Sequence, residues 1–255
     1  MDPSQERLLR SMHAAGVRRM PAPRAGRPAP PQPGPRATPA AAAQRERAVS
    51  GSAPGLFAAP RLASLPPVAD PEAELAAVAR EVEACRACKL CGTRTRAVPG
   101  EGATRARIVF VGEGPGADED RTGRPFVGRA GQLLDDIIVK GMQLQRADVF
   151  ICNVVKCRPP GNRVPEPDEA EACAGFLDRQ LAAIRPAVIC ALGATAVRRL
   201  LRDDRPLGAL RGRTWDYRGV PVIATYHPAY LLRNPSAKVQ TWQDIRRVME
   251  LARKA

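Results

Sequence analysis

No run of about 18 consecutive apolar residues occurs in the 255-residue chain, which excludes a membrane-spanning helix. The first residues lack a short apolar core with a cleavage site, so secretion is not expected. Acidic side chains are scarce: 26 Asp and Glu stand against 40 Lys and Arg, a formal charge of +14. That surplus attracts phosphates and suits a polyanionic partner, although many basic tails share it. Cysteines number seven, and an odd count argues against a complete disulfide framework. These bounds predict a soluble, cytoplasmic protein of one or two domains that meets nucleic acid.

What is present divides near residue 70. Residues 1–70 hold 13 of the 26 prolines, ten Arg, no Lys and four acids, a net of +6. The remainder carries +8, from 30 basic and 22 acidic residues. Stretches such as PAPRAGRPAPPQPGPRATPAAAA have no apolar periodicity and bury too little surface to offset chain ordering, so a disordered tail is expected. Arg7 to Met20 reads either as a short basic helix or as solvated tail, and the acid-poor profile loosely matches an organelle transit peptide.

From residue 71 strands and helices alternate. Leu75, Val78 and Val82 mark a first helix, and RIVFVGE (Arg107 to Glu113) a buried strand. GQLLDDIIVKGM is a helix, DVFICN a second strand, and Ala170, Cys173, Leu177, Leu181 and Ile184 a further helix. PAVICALG and VPVIATYH supply the third and fourth strands, with a turn or hairpin at Arg213 to Val220 and a closing helix at Trp242 to Ala252. This order predicts an α/β fold, a three-layer αβα sandwich around a four-stranded parallel sheet. Ligands of such folds bind beyond the carboxyl ends of the strands. Glu113, Asn153 and His227 stand at three of those ends.

Cys85 and Cys88 form a C-x-x-C at the end of the first helix, and Cys157 and Cys173 flank a proline-stiffened loop. Four thiolates from two segments can hold a tetrahedral zinc or a four-iron cluster. Cys152 and Cys190 sit inside strands as small buried residues do, and Cys91 has no obvious partner.

Three motifs carry a resemblance. GEGPGADEDRTGRPFVG (from Gly112), NVVKCRPPGNRVPEPDEAEAC (Asn153 to Cys173) and YHPAYLLRNP (Tyr226 to Pro235) closely resemble family 4 uracil-DNA glycosylases over about residues 80–250. The resemblance implies a 4Fe-4S cluster on Cys85, Cys88, Cys157 and Cys173, and a catalytic domain over residues 71–255. It implies a uracil pocket of Glu113, Gly114, Pro115, Phe126, Asn153 and His227. Phe126 would stack on the flipped base, Asn153 would pair with its polar edge, and His227 would contact the O2 region. The loop with Leu231, Leu232 and Arg233 would enter the DNA. Uracil-containing DNA, single- or double-stranded, is the implied partner, and a monomer is expected.

The chemistry of the residues agrees with that assignment. An amide both donates and accepts, matching the O4 and N3–H edge of uracil and mismatching cytosine. A donor aimed at the uracil oxygen stabilises the departing anion. The resemblance implies an aspartate for water activation where this chain has Gly114; in its absence Glu113 and Glu119 are the candidates, Glu113 preferred because it directly ends the first strand. The absent aspartate also motivates an alternative, a non-catalytic module that senses uracil or damage. Phe126 lies in a Gly/Pro-rich loop where core packing does not require an aromatic, which suits stacking on a base. A leucine wedge fills the gap left by an extruded nucleotide; only one of Leu231 and Leu232 need be exposed. GEGPG lacks the Lys-Ser/Thr of a P-loop, which argues against nucleotide hydrolysis.

Overall fold

The computed structural model describes residues 61–62 and 66–254. The expected tail disorder over residues 1–60 and the short helix from Arg7 to Met20 lie outside the described residues. Ordered chain nevertheless begins ahead of residue 70. Leu62 is 1% exposed and donates its N–H to the Arg218 carbonyl at 2.7 Å. A single leucine among prolines and alanines makes no periodic pattern, which is why the sequence hides it.

Helix α1 (Pro71–Ala84) starts with proline in its first turn, and the Asp70 carboxylate accepts from the Ala73 N–H at 3.0 Å. There follow β1 (Glu101–Gly102), β2 (Ile108–Gly112), α2 (Ala117–Thr122) and α3 (Arg129–Asp136), the last continued by a π-helical stretch, Ile137–Met142. Next come β3 (Phe150–Asn153), α4 (Pro167–Ile184), β4 (Val188–Leu192), α5 (Ala194–Leu201) and α6 (Leu207–Leu210). Strands β5 (Thr214–Tyr217) and β6 (Val220–Thr225), then α7 (Pro228–Arg233) and α8 (Lys238–Lys254), complete the fold.

The sheet order is β1-β3-β2-β4-β6-β5. Its inner strands β3, β2, β4 and β6 run parallel, as the alternation predicts. Two antiparallel edge strands enlarge it to six. One of them, β5, is the expected hairpin before β6; the other, β1, is only two residues long and too short to leave a pattern.

Every residue of β2, β3 and β4 is buried, so these strands read as unbroken apolar runs. Val109, Val111, Ile189, Ala191 and Val222 turn to one face, where α4 and α5 bring Leu177, Leu181, Val197 and Leu200. On the other face the Thr225 hydroxyl donates to Asp244 of α8 at 2.7 Å. Helices therefore cover both faces, the three-layer αβα arrangement. Helix α1 packs on α4 through Val78, Val82 and Phe176, and Arg179 clamps it by pairing with Glu74 and Glu81. Among the described residues no helix is long and apolar enough to cross a membrane.

Candidate active site at the carboxyl ends of the strands

The register Gly112↔Asn153 sets the ends of β2 and β3 side by side. Asn153 is 1% exposed, and its Oδ1 has no hydrogen-bond partner. A buried acceptor without a donor is costly, and a ligand N–H would relieve it. Gly112 makes room for this amide: a Cβ there would lie 2.4 Å from Asn153 Oδ1 and 2.5 Å from the Phe126 ring.

Phe126 is 5% exposed in the left-handed region at φ 51°, with its ring centroid 5.5 Å from that of His227. The expectation that packing does not need this ring is corrected, because it packs on the bare Gly112 backbone. It lines the cavity all the same. Arg146 secures the strained loop by donating to the carbonyls of Pro125 and Phe126.

His227 caps α7, its Nδ1 accepting from the Ala229 N–H at 3.2 Å. Nδ1 is thus an acceptor, which puts the ring proton on Nε2. Burial lowers the imidazole pKa to about 4; nearby Arg233 pushes the same way, and Glu119 opposes. The ring is neutral at pH 7. Gly193, at φ 91°, lets it approach, since a Cβ there would sit 3.1 Å from the His227 Cβ.

The two candidate glutamates have different environments. The carboxylate of half-buried Glu113 accepts from the Thr195 hydroxyl, and its backbone carbonyl accepts from the Val155 N–H at 3.1 Å. Glu119 accepts backbone N–H groups from Gly116 at 3.1 Å, Val127 at 2.8 Å and Gly128 at 2.9 Å. Those bonds fasten the two sides of the loop and engage both Glu119 oxygens, while Glu119, like Glu113, lines the cavity. At Gly114 a Cβ would meet Val155 Cγ2 at 2.7 Å, so a side chain there requires the buried Val155 to shift.

Glu113, Gly114, Pro115, Phe126, Asn153 and His227 all line one cavity of about 530 Å³, a volume suited to one small ligand. Residues absent from the sequence-based set also reach it: Asn162, Arg163, Val164 and Tyr230. Arg163 is fixed by a two-pronged pair with Glu169 at 2.8 and 2.6 Å, which presents the loop after β3. The Tyr-x-x-x-Tyr spacing of Tyr226 and Tyr230 was a legible signal: their rings stack at 4.9 Å, and Arg211 lies over Tyr226 at 4.3 Å.

On α7, Leu231 is 1% exposed and belongs to the core, which corrects it as a wedge. Leu232 is 38% exposed, Tyr230 39%, and Arg233 lines the cavity mouth. Helical geometry explains the split, because adjacent residues point about 100° apart.

The Cys157 thiol lies within electrostatic reach of Cys85, Cys88 and Cys173, and Cys173 also of Cys88. Donors surround them: Ala87 N–H to Cys85 Sγ at 3.5 Å, Lys156 N–H to Cys173 Sγ at 3.4 Å, and Arg94 to Cys157 Sγ at 2.9 Å. N–H···S bonds of this kind tune thiolates that ligate metal. Burial pushes the Cys173 thiol up to about 11, so a thiolate there needs a cationic centre to hold it. Among the described residues no three His, Cys, Asp or Glu are grouped as one metal ion would need. Cys152 and Cys190 are buried in strands, as expected.

A family model described as the uracil DNA glycosylase superfamily matches residues 99–246, which gives the class. A type-4 uracil-DNA glycosylase of Thermotoga maritima is 48% identical over 181 residues, 69% of this chain and 94% of that protein. Those of Sulfurisphaera tokodaii and Saccharolobus solfataricus are each 45% identical, over 69% and 68% of this chain and 83% and 84% of theirs. The chain belongs to the type-4 uracil-DNA glycosylase family.

Proposed function

We propose that this chain is a monofunctional uracil-DNA glycosylase that hydrolyses the N-glycosidic bond of uracil in DNA and leaves an abasic site for base excision repair. The observation that carries it is Asn153 Oδ1, a buried acceptor without a donor in a base-sized cavity. A uracil turned out of the stack supplies the missing N3–H to Oδ1, and its O4 accepts from Nδ2. Cytosine in the same pose offers an acceptor to Oδ1 and a donor to Nδ2, so both contacts fail.

Phe126 packs on the base. The Nε2–H of neutral His227 donates to uracil O2 as negative charge develops there, lowering the barrier without a proton leaving the ring. Glu113 orients water toward C1′ and takes its proton as the carbon–oxygen bond forms. The bond from N1 to C1′ breaks with its electron pair going to uracil. Leu232 and Tyr230 fill the space left in the stack, and Arg233 contacts phosphate.

Cys85, Cys88, Cys157 and Cys173 hold a 4Fe-4S cluster. When bound, it supplies a cross-link between the end of α1 and the loop after β3. The enzyme acts as a cytoplasmic monomer on single- or double-stranded DNA, through residues 71–255 with a basic tail ahead of them.

The test is a uracil-containing oligonucleotide incubated with iron-loaded protein. Free uracil and alkali-labile strands are expected. Tight binding without uracil release would overturn the assignment in favour of a non-catalytic sensor.

A further inference from the structure

Arg211 directly follows α6, and its side chain, 11% exposed, reaches three groups at once. Its guanidinium donates to Oδ2 of Asp244 at 2.9 and 2.5 Å and to Gln240 Oε1 at 3.1 Å, both acceptors on α8. The same Oδ2 accepts from the Thr225 hydroxyl, so one buried carboxylate ties the arginine to the end of β6. Arg211 Cζ lies 4.3 Å from the centroid of the Tyr226 ring, and that ring stacks on Tyr230 at 4.9 Å with 23° between the planes. Tyr230 ends the column: it is 39% exposed and lines the cavity. A lone exposed tyrosine needs no explanation. This one is backed by two further layers and a buried ion pair. Its orientation is set before any ligand arrives, and little freedom remains to be lost on binding.

We propose that Tyr230 is a preformed stacking platform for the base next to the uracil, with Tyr226 and Arg211 as its positioning residues. The inference rests on the proposed uracil excision and extends it from the extracted base to that base's neighbour. Turning uracil out of the stack bares one face of each adjacent base. A tyrosine ring at the cavity rim can cover such a face, and it does so for any base because every base has a π-face. A purine offers the larger face, so a purine neighbour is the favoured context. The role differs from that of an aliphatic wedge such as Leu232, which fills a gap without distinguishing one neighbour from another. Arg211 and Tyr226 need no contact with DNA for this: they act by holding the Tyr230 ring in place.

The experiment measures kcat/KM for uracil release from oligonucleotides whose nucleotide on either side of the uracil carries a purine, a pyrimidine or no base (a tetrahydrofuran spacer). Full-length, iron-loaded wild type is compared with Tyr230→Leu, Tyr230→Phe and Arg211→Met. Removing the base on one side should lower kcat/KM of the wild type about 10- to 100-fold more than that of Tyr230→Leu, the scale of one aromatic–base stack. A purine on that side should exceed a pyrimidine, and Tyr230→Phe should keep the wild-type pattern. Arg211→Met should shrink the dependence on the neighbouring base several-fold. General damage to the fold would depress all substrates alike and leave the ratios between them unaltered. Equal ratios in wild type and Tyr230→Leu would overturn the platform, and an undiminished ratio in Arg211→Met would overturn its positioning role. If Arg211→Met does not fold, Tyr226→Leu removes the middle layer and must give the same shrinkage. A wild type that releases no uracil would overturn the glycosylase assignment. The same ratios, read as Kd for the same oligonucleotides, then still decide whether Tyr230 stacks on the neighbour.

Discussion

The Ala229 N–H donates to His227 Nδ1 at 3.2 Å, so the imidazole presents Nε2–H to the cavity. With its pKa lowered to about 4, the ring stays neutral where a free histidine would titrate. We expect kcat to show no loss near pH 6.5 from this group and to fall only as pH approaches about 4. His227→Ala should lower kcat by about 100- to 1000-fold while changing DNA affinity little. The sign for stability follows: the unfolded chain takes the proton first, so stability declines as pH falls from about 6.5 to about 4. Single-turnover rates and urea midpoints across that range check both statements.

Glu113 and Glu119 should separate by what each variant loses. Glu113→Gln is expected to lower kcat by roughly 100-fold or more with an unchanged melting temperature. Glu119→Ala strands three backbone donors and should cost about 2 kcal/mol of stability. Thermal melts run beside kinetics decide the assignment, and a stable, slow Glu119→Ala protein would reverse it.

Restoring an aspartate at Gly114 should not improve catalysis. A Cβ there meets Val155 at 2.7 Å, and both sides of the contact are stiff. Gly114→Asp should be destabilised by about 1–3 kcal/mol, the range for overpacking, and slower than the parent. A faster enzyme with the parent's melting temperature would refute the steric account.

The loop after β3 should be acid-sensitive. Hydrogen bonds from Arg163, aided by the Glu166 N–H, hold the Glu169 carboxyl down to about 2. Because the folded value lies below the ordinary 4.5, this contribution is complete above about 4.5 and disappears as pH falls toward about 2. Glu169→Gln should flatten that part of the stability curve and cost about 1–3 kcal/mol at neutral pH. Chemical denaturation at several acidic pH values provides the comparison.

The inner sheet was legible because its strands are predominantly apolar and separated by helical periodicities. Edge strand β1 was not, since two residues have no period. Asn153 and His227 could be placed from strand ends alone. The exposure of Leu232 rather than Leu231 depends on how α7 rolls against the core, which spacing does not encode. Phe126 differs in one respect, because loop composition gives no sign that Gly112 leaves the space its ring fills. Arg94 was missed because a cation beside a cysteine motif is unremarkable in a basic chain. Its meaning lies in a partner distant along the sequence.

The four thiols of the proposed cluster come from chain on either side of β1, β2 and β3. During synthesis, Cys85 and Cys88 emerge long before the partners that complete the set. Iron delivered to the nascent chain would find two of the four ligands until Cys157 has left the ribosome, and the full set only after Cys173. Assembly of the proposed cluster would therefore be a late event in the life of the polypeptide. Starvation for iron would leave molecules whose first helix is held only by its packing on α4 and the Arg179 pairs.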